Sequence, residues 1–181
     1  SSAASDVYKR QTINIFGSVQ HAPNRAAPFR VSTKGRTMEQ FDAAIIGFGT
    51  AGLALGGALA DDGQNIVVVE QSDTMYGGAC VNNACIPTKA LVESARLTAA
   101  VGGSIVEREE RYTAAVDDMK ELRSASRERN YRALADRENV DVIDGRASFA
   151  NATHLTVATA SGTRSIEAKR IFIAVSYTHL T

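Results

Sequence analysis

Cys80 and Cys85 are the only two cysteines of this 181-residue chain. They share one short segment, GGACVNNACIPTK from Gly77 to Lys89, with Pro87 two positions after the second. Cysteines at this spacing can close a small ring across the start of a helix, where backbone N–H groups and the helix dipole favour a thiolate. That is the arrangement of a redox device rather than a structural staple. Two plainer readings compete with it. Two reduced cysteines can simply be small buried hydrophobes. They can also be half of a zinc site, but a structural zinc wants four ligands, and His21, His154 and His179 are scattered without ligand spacing. No metal is therefore expected.

The elements that must carry such a pair lie upstream, in FDAAIIGFGTAGLALGGALADDGQNIVVVEQ. Phe41 to Ile46 is an apolar run that ends in Gly47, Gly49 and Gly52, a G-x-G-x-x-G, and a second run, Ile66 to Val69, stops at Glu70. Strand, glycine turn, helix and strand are the setting in which this triplet binds a dinucleotide. Gly47 makes the tight turn, Gly49 lets backbone approach a pyrophosphate, and Gly52 lets helix pack on strand. The helix N-terminus then faces the phosphates. Glu70, eighteen residues beyond Gly52, is placed to accept hydrogen bonds from a ribose diol and would repel a ribose phosphate.

Ala43 to Ala60 is eighteen residues without a charge, close to the length of a membrane span. It holds five glycines and a turn, so a strand and part of a helix explain it better. The charge balance, 20 basic against 20 acidic residues, gives no electrostatic case for nucleic acid. With no signal peptide in the sequence and its cysteines confined to one redox motif, the cytoplasm is the expected compartment.

A glycine fingerprint followed, past the acidic strand end, by C-x-x-x-x-C is the N-terminal order of the flavoprotein disulfide reductases, and the chain resembles that family from about Met38 to Ala174. The family signature runs GGTCxNxGCxPxK, and here Ala79 replaces the threonine and Ala84 the glycine before the second cysteine, where glycine would ease the tight ring and alanine is expected to be tolerated. Within the family, EQSDTMYGGAC, IPTKALV and NYRALADRENVDVIDGRASF are most similar to a bacterial hypothiocyanous acid reductase branch associated with resistance to reactive chlorine. Mercuric reductase-like and dihydrolipoamide dehydrogenase-like proteins share much of the pattern.

The resemblance implies a three-layer α/β FAD-binding domain, Rossmann-like, with a parallel sheet and a small antiparallel meander. It implies that Gly47, Gly49, Gly52, Glu70 and Gln71 hold the AMP part of FAD, that Gly78 and Cys80 lie near the isoalloxazine, and that Lys89 sits close to the flavin. A solvated helix lysine is the rival reading for Lys89. Gly145 and Ala147, in a G-x-A-x-F stretch, would lie near the adenine. Cys85 would be the flavin-facing charge-transfer thiol and Cys80 the interchange thiol that attacks substrate. The implied enzyme takes electrons from NAD(P)H through FAD to the Cys80–Cys85 disulfide, and on to an oxidised thiol, hypothiocyanous acid or a similar oxidant. It is a homodimer whose nicotinamide domain and partner-supplied catalytic base lie beyond this region. A module that only holds FAD, and a thiol-based sensor, are the non-enzymatic rivals.

Both ends of the chain read differently. SDVYKRQ (Ser5 to Gln11) and VSYTHLT (Val175 to Thr181) back-translate into the two orientations of one transposon-end word used as a sequencing adapter. Both are expected to be translated adapter. Thr12 to Thr37 is basic without hydrophobic period, and Met38 looks like the start, with a targeting presequence as the rival reading. The expected organisation is thus a leader over 1–37, an FAD-binding domain over 38–174 and a tail over 175–181.

Between these limits the sequence predicts a helix through Lys89 to Ala100, opened by Pro87 and interrupted by Gly102 and Gly103. A second helical stretch, Arg111 to Asp136, alternates in charge and reads as a solvated face, with a break at Asn130 and Tyr131. Val140 to Ile143 is predicted as a third parallel strand. A meander follows over His154 to Ala158 and Arg164 to Ala168, and Ile171 to Ala174 is a separate closing strand.

Overall fold

The computed structural model describes residues 38–176. The readings of 1–37 and of Tyr177 onward, with His21 and His179, lie outside the described residues. Strand β1 (Glu39–Ile46) leads through the glycine turn into helix α1 (Thr50–Asp61) and strand β2 (Ile66–Glu70). Helices α2 (Gly78–Asn82), α3 (Cys85–Val101) and α4 (Ile105–Ala135) follow, then strands β3 (Val140–Asp144), β4 (Arg146–Phe149), β5 (His154–Thr159) and β6 (Gly162–Ile173).

All six strands form one sheet in the order β3-β2-β1-β6-β5-β4. The β3–β2, β2–β1 and β1–β6 pairings are parallel, and the two outer ones antiparallel. Strands covered on both faces read as unbroken apolar runs, and IVVV of β2 is buried throughout. Alternation sends Ile66 and Val68 with Ala43 and Ile45 to one face, where Leu134 of α4 and Ala60 of α1 cover them. Val67 and Val69 go to the other, where they meet Leu155 and Val157 of β5 and Ile166 and Ala168 of β6. Helices, parallel strands and antiparallel meander are thus the three layers that the sequence implied.

Two boundaries differ from expectation. Helix α4 is unbroken over 31 residues and starts earlier, at a capping box in which Ser104 accepts from the Glu107 amide and the Glu107 carboxylate accepts from the Ser104 amide. Asn130 and Tyr131 do not end the helix; Tyr131 turns inward to pack on Tyr76. Strand β6 is likewise continuous over 12 residues, because its first half pairs with β5 and its later residues pair with β1 from Glu39↔Ile166 to Ile46↔Ile173, the two ladders overlapping at Ile166 and Glu167. No helix among the described residues is long and apolar enough to cross a membrane.

Candidate functional site

The glycine turn caps the C-terminal ends of β1 and β6. At Gly52 a Cβ would lie 2.1 Å from the Gly47 carbonyl oxygen, and at Gly47 one would lie 2.5 Å from the Ala174 carbonyl oxygen. These two glycines are therefore demanded by the chain's own packing. Gly49 is different: its nearest neighbours to a Cβ are 3.9 Å away, so the fold itself has room for a side chain there. Gly49 is also the N-cap of α1, with no side chain bonded to the helix end and no acid in its first turn. Free N–H groups beside open backbone are what an anionic ligand needs, and the site fits the pyrophosphate of a dinucleotide.

Glu70 is tied into this turn more directly than its spacing indicated. One carboxylate oxygen accepts from the Phe48 amide at 2.9 Å and the other from the Ser72 amide at 3.3 Å. The acid holds the turn in shape, and each oxygen keeps a lone pair free for a ribose hydroxyl. Gln71 is exposed beside it. The Gly145 amide donates to the Glu70 carbonyl at 2.8 Å, which brings β3's end to the same place. A Cβ on Gly145 would meet the Ala158 carbonyl at 2.6 Å, so this glycine answers to β5. Ala147 packs against the meander side of the core.

The cysteine segment lies against the glycine turn. Gly77 and Gly78 both have positive φ, 85° and 67°, a left-handed pair that only glycine adopts readily. A Cβ on Gly78 would sit 2.8 Å from the Cα of Gly49, and the Gly77 amide donates to the Phe48 carbonyl at 2.8 Å. The cysteine loop and the glycine turn are thus in backbone contact. Ala84 has φ −127° and ψ −96°, outside the left-handed region that would call for glycine, and the alanine is accommodated in the dithiol.

Both cysteines are free thiols, Cys85 exposed and Cys80 half-buried. A hydrogen bond with the Cys85 side chain keeps the proton on Cys80 and raises its pKa above the ordinary thiol value, with burial adding to the effect. The positive charge of Lys89 and a hydrogen bond from the Cys85 amide pull the other way. The start of a helix does supply an amide to sulfur, then, but at Cys80 the neighbouring sulfur outweighs it. Lys89 is exposed on α3, yet close enough for its charge to be felt at Cys80.

Several residues that hold the loop carry little signal in the sequence. Asn82, between the two cysteines, is only 2% exposed. Its amide nitrogen donates to the Tyr76 and Gly78 carbonyls at 3.0 and 2.9 Å, and its oxygen accepts from Arg127 Nε at 2.8 Å. Arg127, expected on a solvated face of α4, is thus bonded to the cysteine loop. Tyr76 stacks edge-on to Phe48 with ring centroids 5.1 Å apart, packs on Tyr131 at 4.7 Å, and donates its hydroxyl to Asp144. Burial and that hydrogen bond push the Tyr76 pKa well above the usual phenol value. The asparagine of C-x-N was visible in the motif. Arg127, 45 residues away, had no local signal.

The comparisons agree with this geometry. The chain is 39% identical over 136 residues to the probable pyridine nucleotide-disulfide oxidoreductase RclA of Escherichia coli (strain K12), covering 75% of this chain and 28% of that protein. It is 32% identical over 142 residues to a mercuric reductase of Streptomyces lividans, covering 74% and 30%. Among solved structures, the Cu(II) complex of the HOCl-induced flavoprotein disulfide reductase RclA from Escherichia coli superposes with a TM-score of 0.68 at 38% identity, over 80% of this chain and 30% of that one. The chain therefore spans less than a third of the length of these relatives. Residues 41–177 match one family throughout, and the chain belongs to it: the pyridine nucleotide-disulphide oxidoreductases.

Proposed function

We propose that this chain is the FAD-binding and dithiol-bearing portion of an NAD(P)H-dependent flavoprotein disulfide reductase. The observation that carries the reading is the contact of Gly78 with Gly49, which sets the redox loop directly on the dinucleotide turn. In this reading the amides at the start of α1 hold the pyrophosphate, and Glu70, with Gln71 beside it, faces the adenosine ribose. Gly145 and Ala147 lie toward the adenine, and Gly78 and Lys89 toward the flavin ring. Bound FAD supplies the two-electron chemistry that links a nicotinamide donor to a disulfide.

The chain's own part is to hold two sulfurs together and to control one proton. Cys85, the more exposed thiol, faces the flavin. Cys80 is the interchange thiol: once its proton leaves, aided by Lys89 and the Cys85 amide, it attacks an oxidised sulfur or a related oxidant such as hypothiocyanous acid. The similarity to RclA, described as an HOCl-induced flavoprotein disulfide reductase, supports an oxidised-sulfur substrate. A cytoplasmic homodimer, with the nicotinamide domain and the catalytic base supplied from outside residues 38–174, completes the reading.

An anaerobic dithionite titration of the FAD-loaded protein tests it. The wild type should take up two electron pairs per flavin, one of them for the disulfide, and Cys85→Ser only one. Equal uptake by both would leave a flavin-binding module without disulfide chemistry. Failure to bind FAD would remove the reading altogether.

A further inference from the structure

We propose that Arg127 is a positioning residue that sets the redox poise of the Cys80–Cys85 pair through Asn82. The inference rests on the reading of that pair as redox-active and adds a control point on a different element. Helix α2, which carries Cys80, is only five residues long, too short to be stable by its own hydrogen bonds. Its geometry must come from what grips it. The grip is Asn82, whose side-chain amide spans the loop from the Tyr76 carbonyl to the Gly78 carbonyl, and whose oxygen is taken by Arg127 Nε on α4 at 2.8 Å. Asn82 has no freedom left to reorient while all three bonds are made, and its side chain is buried. Arg127 is the one member of the network that lies outside the loop.

The consequence for redox chemistry follows from where ordering is needed. Oxidation by glutathione disulfide forms the Cys80–Cys85 bond and breaks the glutathione S–S bond, with both thiol protons ending on two molecules of glutathione. The disulfide constrains the loop covalently whether or not Arg127 is present. The dithiol has no covalent cross-link and is held by packing and hydrogen bonds alone, among which the clamp grips the helix that carries Cys80. Releasing the clamp therefore loosens the dithiol more than the disulfide, and closing the ring must then supply the ordering that Arg127 had supplied in advance. Loss of the Arg127 donor should make disulfide formation about tenfold less favourable, a rise of ~30 mV in reduction potential.

The test is equilibration of the full 181-residue chain in glutathione buffers of graded ratio, followed by acid quench, maleimide trapping and mass measurement. Arg127→Met, which keeps the stem and removes the donor, should shift the midpoint about tenfold towards the dithiol. Arg127→Gln places an amide nitrogen at the same number of bonds from the backbone as Nε and should remain within about twofold of wild type. A general loosening of α4 would not distinguish these two variants, so a shift of equal size in both overturns the proposal, as does no shift in Arg127→Met. If Arg127→Met does not fold, Arg127→Lys, which keeps the charge but moves the donor one atom outward, should shift in the same direction, and an unshifted Arg127→Lys overturns the proposal. A wild-type chain that forms no intramolecular disulfide in any buffer defeats the redox reading itself, and this inference with it.

Discussion

Gly49 and Gly52 separate ligand from fold, and the separation can be measured. At Gly52 a methyl group would meet the Gly47 oxygen at 2.1 Å and Ile45 Cγ2 at 3.4 Å, far inside any tolerable contact with backbone that cannot swing away. Helix α1 would have to lift off β1 by roughly an ångström, and overpacking of this kind costs about 3 kcal/mol or more. For a chain of this length that lowers the melting temperature by about 6–12 °C. At Gly49 a methyl group would have 3.9 Å of clearance, and φ −83°, ψ −172° is ordinary extended backbone. Gly49→Ala should cost at most ~1 kcal/mol for the weaker cap, or about 2–4 °C. The same methyl group would stand where the pyrophosphate must approach, and FAD affinity should fall by about 100-fold, ~2.7 kcal/mol. The assay is thermal unfolding followed by circular dichroism with and without FAD: a ligand at 100 times its Kd stabilises wild type by ~2.7 kcal/mol. Wild type should gain melting temperature with FAD, Gly49→Ala should melt near wild type but gain almost nothing, and Gly52→Ala should melt early in either case. A Gly49→Ala variant that keeps its full FAD response, or melts as early as Gly52→Ala, would refute the reasoning.

Further outcomes follow from the electrostatics and packing. Lys89→Met should raise the Cys80 pKa further, because the lysine is the charge that opposes the Cys85 hydrogen bond; iodoacetamide labelling followed by peptide mass mapping should show the Cys80 rate profile displaced to higher pH. Tyr76→Phe keeps the stack on Phe48 and Tyr131 but loses the bond to Asp144, which should cost ~1 kcal/mol, or about 2–4 °C. The Asp42 carboxyl is held below its ordinary value of 3.8, first by a hydrogen bond from Lys169 and then by the Asn65 amide. Its stabilisation is therefore present above that value and disappears as pH falls through the depressed one. Asp42→Asn should be less stable than wild type at pH 7 by under ~1 kcal/mol, since the pair is solvent-screened, and the difference should shrink in melts taken at successively lower pH below 3.8.

The parts of the fold legible in the sequence were those written in local chemistry. Apolar runs bounded by glycine and acid gave β1, β2 and β3, and the C-x-N-x-x-C-x-P spacing located the start of α3. Tertiary pairing decided the rest. Asn130 and Tyr131 suggested a break because asparagine and an aromatic are poor helix formers, yet Tyr131 is needed against Tyr76 and the helix continues through it. Residues 162–173 suggested two strands because their polarity changes midway, but the ladders to β5 and β1 overlap at Ile166 and Glu167 and carry one strand through. At the site, the glycines and Glu70 were legible as a motif. The dual role of Glu70 was not, because its bond to the Phe48 amide depends on the turn's three-dimensional shape. Arg127 was invisible for the same reason: a charged residue on an alternating helix carries no mark of the one neighbour that matters.

The pairing of β1 with β6 bears on the order in which the protein can be made. The first glycine of the dinucleotide turn rests against the backbone of Ala174, and the Ala174 amide donates to the Ile46 carbonyl at 2.7 Å. A nascent chain emerging from the ribosome exposes β1 and its glycine turn long before the strand that completes them. During that interval β1 has an open edge and a site without one wall, a long-range closure that is slow and exposed to aggregation. Protease protection of the Phe41–Gly52 segment in stalled nascent chains should accordingly appear only after Ala174 has cleared the exit tunnel, and not when the motif that names the fold has been translated.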